Sequence, residues 1–100
     1  MSLTSQQTRA LRAESHRLKL KPVVMIGQHG LSDNVMEELH QALHHHELLK
    51  VRVPALERAD KQALIERICS ELEAELVQNI GHVIVLFKTN PDKKRFAKLL

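Results

Sequence analysis

Two glycines separated by two residues indicate the most specific chemistry in this sequence, contact with a phosphate backbone. Gly27 and Gly30 follow the apolar run Val23–Ile26 and precede an amphipathic segment that begins at Ser32. Glycines permit a sharp turn and leave no Cβ atom to obstruct a bulky partner. A helix that begins at Ser32 would add free N–H groups and the positive end of its dipole, both of which attract phosphate. Taken alone, the spacing is equally typical of an ordinary turn between a strand and a helix.

The two residues between the glycines are polar and can touch a ligand. Gln28 and His29 would reach a phosphate or a ribose from the tip of the loop. A two-glycine loop of this type clamps the nucleic-acid backbone in KH domains. RNA is therefore the first partner to consider.

Basic residues are concentrated at the two ends of the chain. Five basic residues against one acidic residue give both residues 1–27 and residues 83–100 a charge of +4, whereas ten acidic against five basic residues leave 28–82 at −5. If the fold brings both ends near the glycine loop, one face becomes positive enough to hold RNA. The alternative is that these residues only keep the protein soluble. The candidate contacts that flank the loop are Arg12, Lys19 and Lys21 on the N-terminal side and Lys88, Lys93, Lys94 and Arg95 on the C-terminal side.

Four histidines form a second conspicuous cluster. They are His40, His44, His45 and His46. The first two are four residues apart, as in H-x-x-x-H metal pairs, but a metalloprotease needs glutamate after the first histidine, where Gln41 stands. No third ligand follows at a fixed spacing, and Cys69 fits the apolar stripe of a later helix. We interpret the cluster as a polar helix end, where imidazolium suits the dipole, and we expect no metal and no cofactor.

The sequence gives little support to catalysis. It contains no Gly-x-Ser-x-Gly elbow, and a Walker A loop would need four residues between its glycines and a lysine after them. Several carboxylates are typical of a solvated helix face and the turn that follows it, rather than of a paired acid–base site. These carboxylates are Glu66, Glu71, Glu73 and Glu75. We expect a protein that is not an enzyme and has no small-molecule substrate.

Composition limits the class of protein further. A chain of 100 residues that is 43% apolar forms one domain with a modest core. Phe87 and Phe96 are its only aromatic residues, which disfavours an RRM-type stacking platform. The apolar runs reach about five residues, too few to span a membrane, and the first seven residues lack the pattern of a signal peptide. The single Cys69 fits a reducing cytoplasm, and nothing requires more than a monomer.

Apolar periodicity predicts three helices. Thr4 or Ser5 caps a helix that runs to about Leu18. Ser32 caps a second helix, whose inner stripe extends to His46. Asp60 is the plausible cap of a third.

Strand signals complete the predicted order α-β-α-β-α-β-β. The sequence predicts strands at residues 23–26, 48–53 and 83–87. Residues 76–80 either continue the third helix or form a strand, and their alternation before Gly81 favours a hairpin. The two β-α-β units imply a parallel pair, and the hairpin adds antiparallel pairing. The fold class is therefore α+β with a mixed sheet.

Three motifs, taken together, resemble the CRM domain, an RNA-binding module of chloroplast splicing factors that stands alone in bacteria as the YhbY family. The motifs are Gly27–Ser32, Glu47–Val53, and Ile80–His82 before Val83–Lys88. The resemblance covers about residues 3–90. It implies a four-stranded mixed sheet with three helices, similar to the C-terminal domain of translation initiation factor three. Residues 1–90 would form this domain, and residues 91–100 a basic tail.

The resemblance also implies association with the precursor of the large ribosomal subunit. The resulting hypothesis is a cytoplasmic, monomeric bacterial protein that binds ribosomal RNA and assists ribosome assembly. Its contacts would be Gly27, Gln28, His29 and Gly30 together with the flanking basic residues. The alternatives are a protein-interaction module that docks on a ribosomal protein or factor and, on the histidines alone, a small metal-dependent enzyme.

Overall fold

The structure, a computed structural model, describes residues 3–100. Its elements in chain order are α1 (Ser5–Arg17), β1 (Pro22–Met25), α2 (Asp33–His46), β2 (Leu48–Arg52), α3 (Arg58–Leu72), β3 (Glu75–Ile80) and β4 (Val83–Phe87). A 3₁₀ turn, Ala97–Leu99, follows the last strand. The predicted order of three helices and four strands is confirmed.

The four strands form one mixed sheet in the order β1-β2-β4-β3. β1 and β2 are parallel, whereas β4 is antiparallel to both β2 and β3. The hairpin is confirmed, since Ile80 pairs with Val83 and Leu76 with Leu86. The third helix ends at Glu73, which adopts a left-handed conformation with φ 54° two residues before β3 begins.

The main core lies between the sheet and the helices α2 and α3. Alternation along β2 directs Leu49 and Val51 into this core, where they meet buried residues of both helices. Leu39 and Leu43 come from α2, and Ile65, Ile68 and Leu72 from α3. The core-facing stripes predicted for both helices are thus confirmed, with His46 half-buried at the end of the first.

A smaller core lies on the opposite face of the sheet, beneath α1. It contains Leu11 of α1, Leu48 and Phe87, with Phe96 and Leu99 of the C-terminal segment packed against it. The rings of Phe87 and Phe96 meet edge to face at 6.2 Å. The segment after β4, to which the sequence assigned no structure, therefore folds back onto the sheet.

Local signals at the helix ends agree with the structure in two cases of three. Thr4 forms a reciprocal capping box with Gln7, and the Ser32 hydroxyl accepts from the Val35 N–H, as predicted. The predicted cap Asp60 is wrong, because α3 already begins at Arg58, after Glu57. Asp60 lies in the first turn, where a carboxylate stabilises the helix through its dipole. Within residues 3–100, no helix has the length and apolar character required to cross a bilayer.

Candidate nucleic-acid interface

The glycine loop connects the carboxyl end of β1 to α2. The Gly30 N–H donates to the Gly27 carbonyl at 3.0 Å, which closes a tight turn with Gln28 and His29 exposed at its tip. Gly30 has φ +75°, a conformation that L side chains rarely adopt. The backbone of the turn itself therefore requires glycine at position 30.

Gly27 has no comparable structural requirement. Its φ lies outside the left-handed region, and a Cβ atom built on it would meet no atom within 4 Å. Neither strain nor crowding within the described chain accounts for a glycine here. The missing side chain leaves the backbone at this position open from outside.

Side chains of the protein itself already interact with the free N–H groups and the dipole at the N-terminus of α2. Ser32 accepts from Val35 at 3.2 Å, and the Asp33 carboxylate lies in the first turn. A negative side chain at this point stabilises the dipole and weakens its attraction for a further anion. The exposed backbone of residues 27–29 is consequently a better candidate for a phosphate contact than the helix terminus.

Strand direction divides the sheet into two ends with different residues. The Ile26 N–H donates to the Arg52 carbonyl, and the Val53 N–H donates to the His82 carbonyl, each at 2.8 Å. The glycine loop, the carboxyl end of β2 and the β3–β4 hairpin therefore share one end, which we call the loop end. β1 and β2 begin, and β4 finishes, at the opposite end, which we call the tail end.

The N-terminal basic residues predicted as contacts lie along α1 and at the start of β1. Lys19, with φ 52°, ends α1 in a Schellman arrangement in which the Leu20 N–H donates to the Ser15 carbonyl. Lys21 is exposed directly before β1, at the tail end, and six residues, about 20 Å of extended chain, separate it from Gly27. Arg12 is exposed on the flank of α1 that also presents His16 one turn later.

The C-terminal basic residues lie at the tail end, away from the loop. The Lys88 ammonium donates to the Leu72 carbonyl at 2.7 Å, and that of Lys93 donates to the His45 carbonyl at 2.9 Å. Both lysines thus cap the carboxyl ends of helices, where a cation is favoured. Lys94 and Arg95 are exposed beside them. The fold does not bring these four residues to the glycine loop.

Two further cations, which the sequence analysis did not include among the contacts, lie closer to the loop. Lys50 and Arg52 project from β2 on the face opposite the main core, and Arg52 is paired with Met25, two residues before Gly27. The ion pairs among residues 3–100 are Glu14–Arg17 and Arg67–Glu71, so neither cation is neutralised. Alternation along β2 indicated that they share a face, but sequence alone could not show that the face is open.

Comparison with known proteins identifies the family of this chain. The family model of the CRS1/YhbY (CRM) domain matches residues 3–88. The chain belongs to this family. A protein of Haemophilus influenzae named an RNA-binding protein is 41% identical over 93 residues, which cover 93% of this chain and 92% of that protein. A protein of Pseudomonas aeruginosa named a probable RNA-binding protein is 37% identical, over 91% of this chain and 86% of its own.

A solved structure has the same fold. The solution structure of a Staphylococcus aureus protein superposes with a TM-score of 0.76 at 34% identity, covering 89% of this chain and 91% of that one. The family match ends at residue 88, whereas the structure continues as a packed segment to residue 100.

The attachment of that segment depends on Glu47, the residue between α2 and β2. Its carboxylate is buried and accepts from the backbone N–H groups of Asn90 and Arg95, each at 3.0 Å. Its own carbonyl accepts from the Lys88 N–H at 2.9 Å. Asn90 is also buried and donates to the His44 carbonyl at 2.7 Å. Sequence reasoning missed both residues, because their partners are more than 40 positions away.

The histidines at the end of this CRM domain's second helix contact the C-terminal segment. Burial lowers the pKa of His46 below its ordinary value, and the neighbouring charges of His45, Arg95 and Lys93 lower it further. Within residues 3–100, no three His, Cys, Asp or Glu side chains are grouped to hold a metal ion. In Cys69, burial raises the thiol pKa, so the reactive thiolate is disfavoured.

Proposed function

We propose that this CRM domain binds RNA through the glycine loop and the basic residues of its N-terminal part. The observation that carries the proposal is Gly27, whose backbone is open and for which the fold provides no internal reason. Gln28 and His29 would contact phosphate or ribose, while Arg12, Lys19 and Lys21 supply positive charge. The names of its relatives support RNA as the partner.

We further propose that the RNA is the precursor of the large ribosomal subunit and that the protein assists its assembly as a cytoplasmic monomer without catalysis. Phosphate contacts provide affinity but do not distinguish sequences. Recognition would then depend on the shape of the RNA and on its unpaired segments. We assign Lys88 and Lys93 to the helix ends that they cap, and we treat Lys94 and Arg95 as secondary contacts.

Replacement of Gly27 tests the loop assignment. Gly27→Ala should leave the free energy of unfolding unchanged or raise it by up to about 1 kcal/mol, because alanine restricts the unfolded chain. Affinity for a precursor rRNA transcript should fall, and Gly27→Val should lower it at least tenfold, about 1.4 kcal/mol. Filter binding and urea unfolding measure the two effects. Folded variants that bind the transcript like the parent would contradict the role of the loop.

The identity of the RNA requires a separate experiment. Ultraviolet crosslinking in cells, followed by sequencing of the attached RNA, should recover segments of the large-subunit precursor. Recovery should decrease in the Gly27→Val strain at equal protein abundance. Crosslinks confined to other RNAs would contradict the ribosomal part of the proposal and leave RNA binding intact. A protein that crosslinks to no RNA would contradict both and favour docking on a protein.

A further inference from the structure

One face of the sheet is only partly covered. α1 and the C-terminal segment cover the tail end of this face, where Leu48 and Phe87 are paired and buried. Towards the loop end the same face is open. We call this part the open sheet face; its side chains are Val23, Met25, Lys50, Arg52, Ile80 and Val83.

Apolar side chains on the open sheet face are exposed to an unusual degree. Met25 is 69% exposed, Ile80 64% and Val23 47%. Single exposed apolar residues are ordinary. Here, however, the register aligns Met25, Arg52, Val83 and Ile80 as one row across all four strands, which spans about 14 Å. A row of this kind indicates a contact surface.

The charges around this row indicate which kind of partner could bind there. Arg52 lies within the row, Lys50 is one step towards the tail end, and His16 of α1 borders the groove beside them. Residues 3–23 together with these two cations contain seven basic residues against one acidic residue. Such a surface is complementary to a polyanion and repels a second copy of itself.

The apolar side chains of the row indicate which kind of RNA could bind there. Phosphates are hydrated anions and gain nothing from Met25 or Ile80, whereas the faces of unpaired bases are apolar and can pack on aliphatic side chains. A planar guanidinium such as that of Arg52 also stacks on a base. In an A-form duplex the bases are stacked inside and the major groove is too narrow for side chains. The row is therefore suited to single-stranded RNA.

The geometry points to the open sheet face as a second contact surface of the proposed RNA interface, one that accepts unpaired bases while the glycine loop holds the backbone. Met25 lies two residues before Gly27, so a strand clamped at the loop can place its next bases directly on the row. This inference rests on the proposed function and specifies its substrate class, RNA with an unpaired segment beside the clamped backbone.

The test compares two labelled probes of equal length, an unstructured oligoribonucleotide and a blunt RNA duplex. Met25→Thr with Ile80→Thr, and separately Arg52→Gln, should lower affinity for the single strand at least tenfold and change affinity for the duplex less than twofold. Arg58→Gln removes an exposed cation from the α3 side and serves as the matched control, with affinity for both probes unchanged. Urea unfolding of every variant confirms that the fold is retained.

The possible outcomes distinguish a failure of this inference from a failure of the proposed function. Equal losses for both probes, or no loss for either, would overturn the assignment of unpaired bases to the open sheet face. Retained single-strand affinity in these variants, with affinity lost in Gly27→Val, would overturn it while the loop proposal stands. A parent protein that binds neither probe would overturn both. Concentration-dependent dimerisation that Ile80→Thr abolishes would show that a second copy occupies the face.

Discussion

Residues with positive φ that are not glycine mark the points where this backbone changes direction. Lys19 follows α1, Glu47 follows α2 and Glu73 follows α3, each with φ between 52° and 64°. Glycine is the usual residue at such helix ends. At Glu47 a glycine would lack the carboxylate that accepts hydrogen bonds from the C-terminal segment. A sequence without glycine at these positions gives little signal for where its helices end.

His46 predicts a dependence of stability on pH. Its folded pKa lies below the ordinary 6.5, so between these values the unfolded chain binds more protons than the folded one. The contribution of His46 to the free energy of unfolding is therefore fully present above pH 6.5 and is lost as the pH falls towards the folded pKa. Urea midpoints measured from pH 7.5 to pH 5 should decrease, and His46→Gln should reduce that decrease. An identical decrease in the variant would contradict the assignment to His46.

At the scale of elements, the link between α2 and the segment after β4 depends on one side chain. Glu47 accepts two backbone N–H groups in a buried position, and neither N–H has another acceptor within residues 3–100. The Glu47→Gln side chain would present an NH₂ group to one of them and leave a buried donor unsatisfied. We expect a loss of about 1–3 kcal/mol in the free energy of unfolding.

Two measurements check this expectation. Urea unfolding gives the change in stability, with the exposed Glu38→Gln as a control that should remain within about 0.5 kcal/mol of the parent. Hydrogen exchange should accelerate at the Asn90 and Arg95 amides more than at Val51 in the main core. If exchange accelerates equally at all three, Glu47 stabilises the whole domain rather than the C-terminal segment.

The elements were predictable where local patterns determine them. Alternation identified β2, helical periodicity identified the inner stripes of α2 and α3, and residues 76–80 alternated as a strand should. The C-terminal segment was not predictable, because it is held by contacts between residues 43 to 48 positions apart. The loop residues were identifiable from spacing, but the open sheet face required knowledge of what α1 leaves uncovered.

At the scale of the whole molecule, the two basic parts of the chain reach the tail end of the sheet at different strands, one before β1 and the other after β4, and their contributions can be compared. Lys19→Gln with Lys21→Gln should reduce the steepness of log affinity against log salt by about 1 to 2, because each lysine that binds a phosphate contributes about one. Lys94→Gln with Arg95→Gln, the matched pair after β4, should change it less, because this pair does not lie beside the strand that leads into the glycine loop. Binding is measured at several salt concentrations. A larger effect of the C-terminal pair would place the main RNA-binding surface beside the segment after β4.

The acidic surface of α2 and α3 has a consequence for the first encounter with a polyanion such as the proposed RNA. Residues 33–46 and 57–73 contain eight acidic and three basic residues, and all eight acidic residues are exposed. The helices α2 and α3 that carry most of them pack against the sheet face opposite the open sheet face. Opposite charges on opposite sides make the molecule an electric dipole of net charge +3. In the field of a polyanion this dipole experiences a torque that rotates the basic side forward during diffusion. If RNA is the partner, as proposed, a larger fraction of collisions is then productive, because the encounter is oriented before any side chain makes contact.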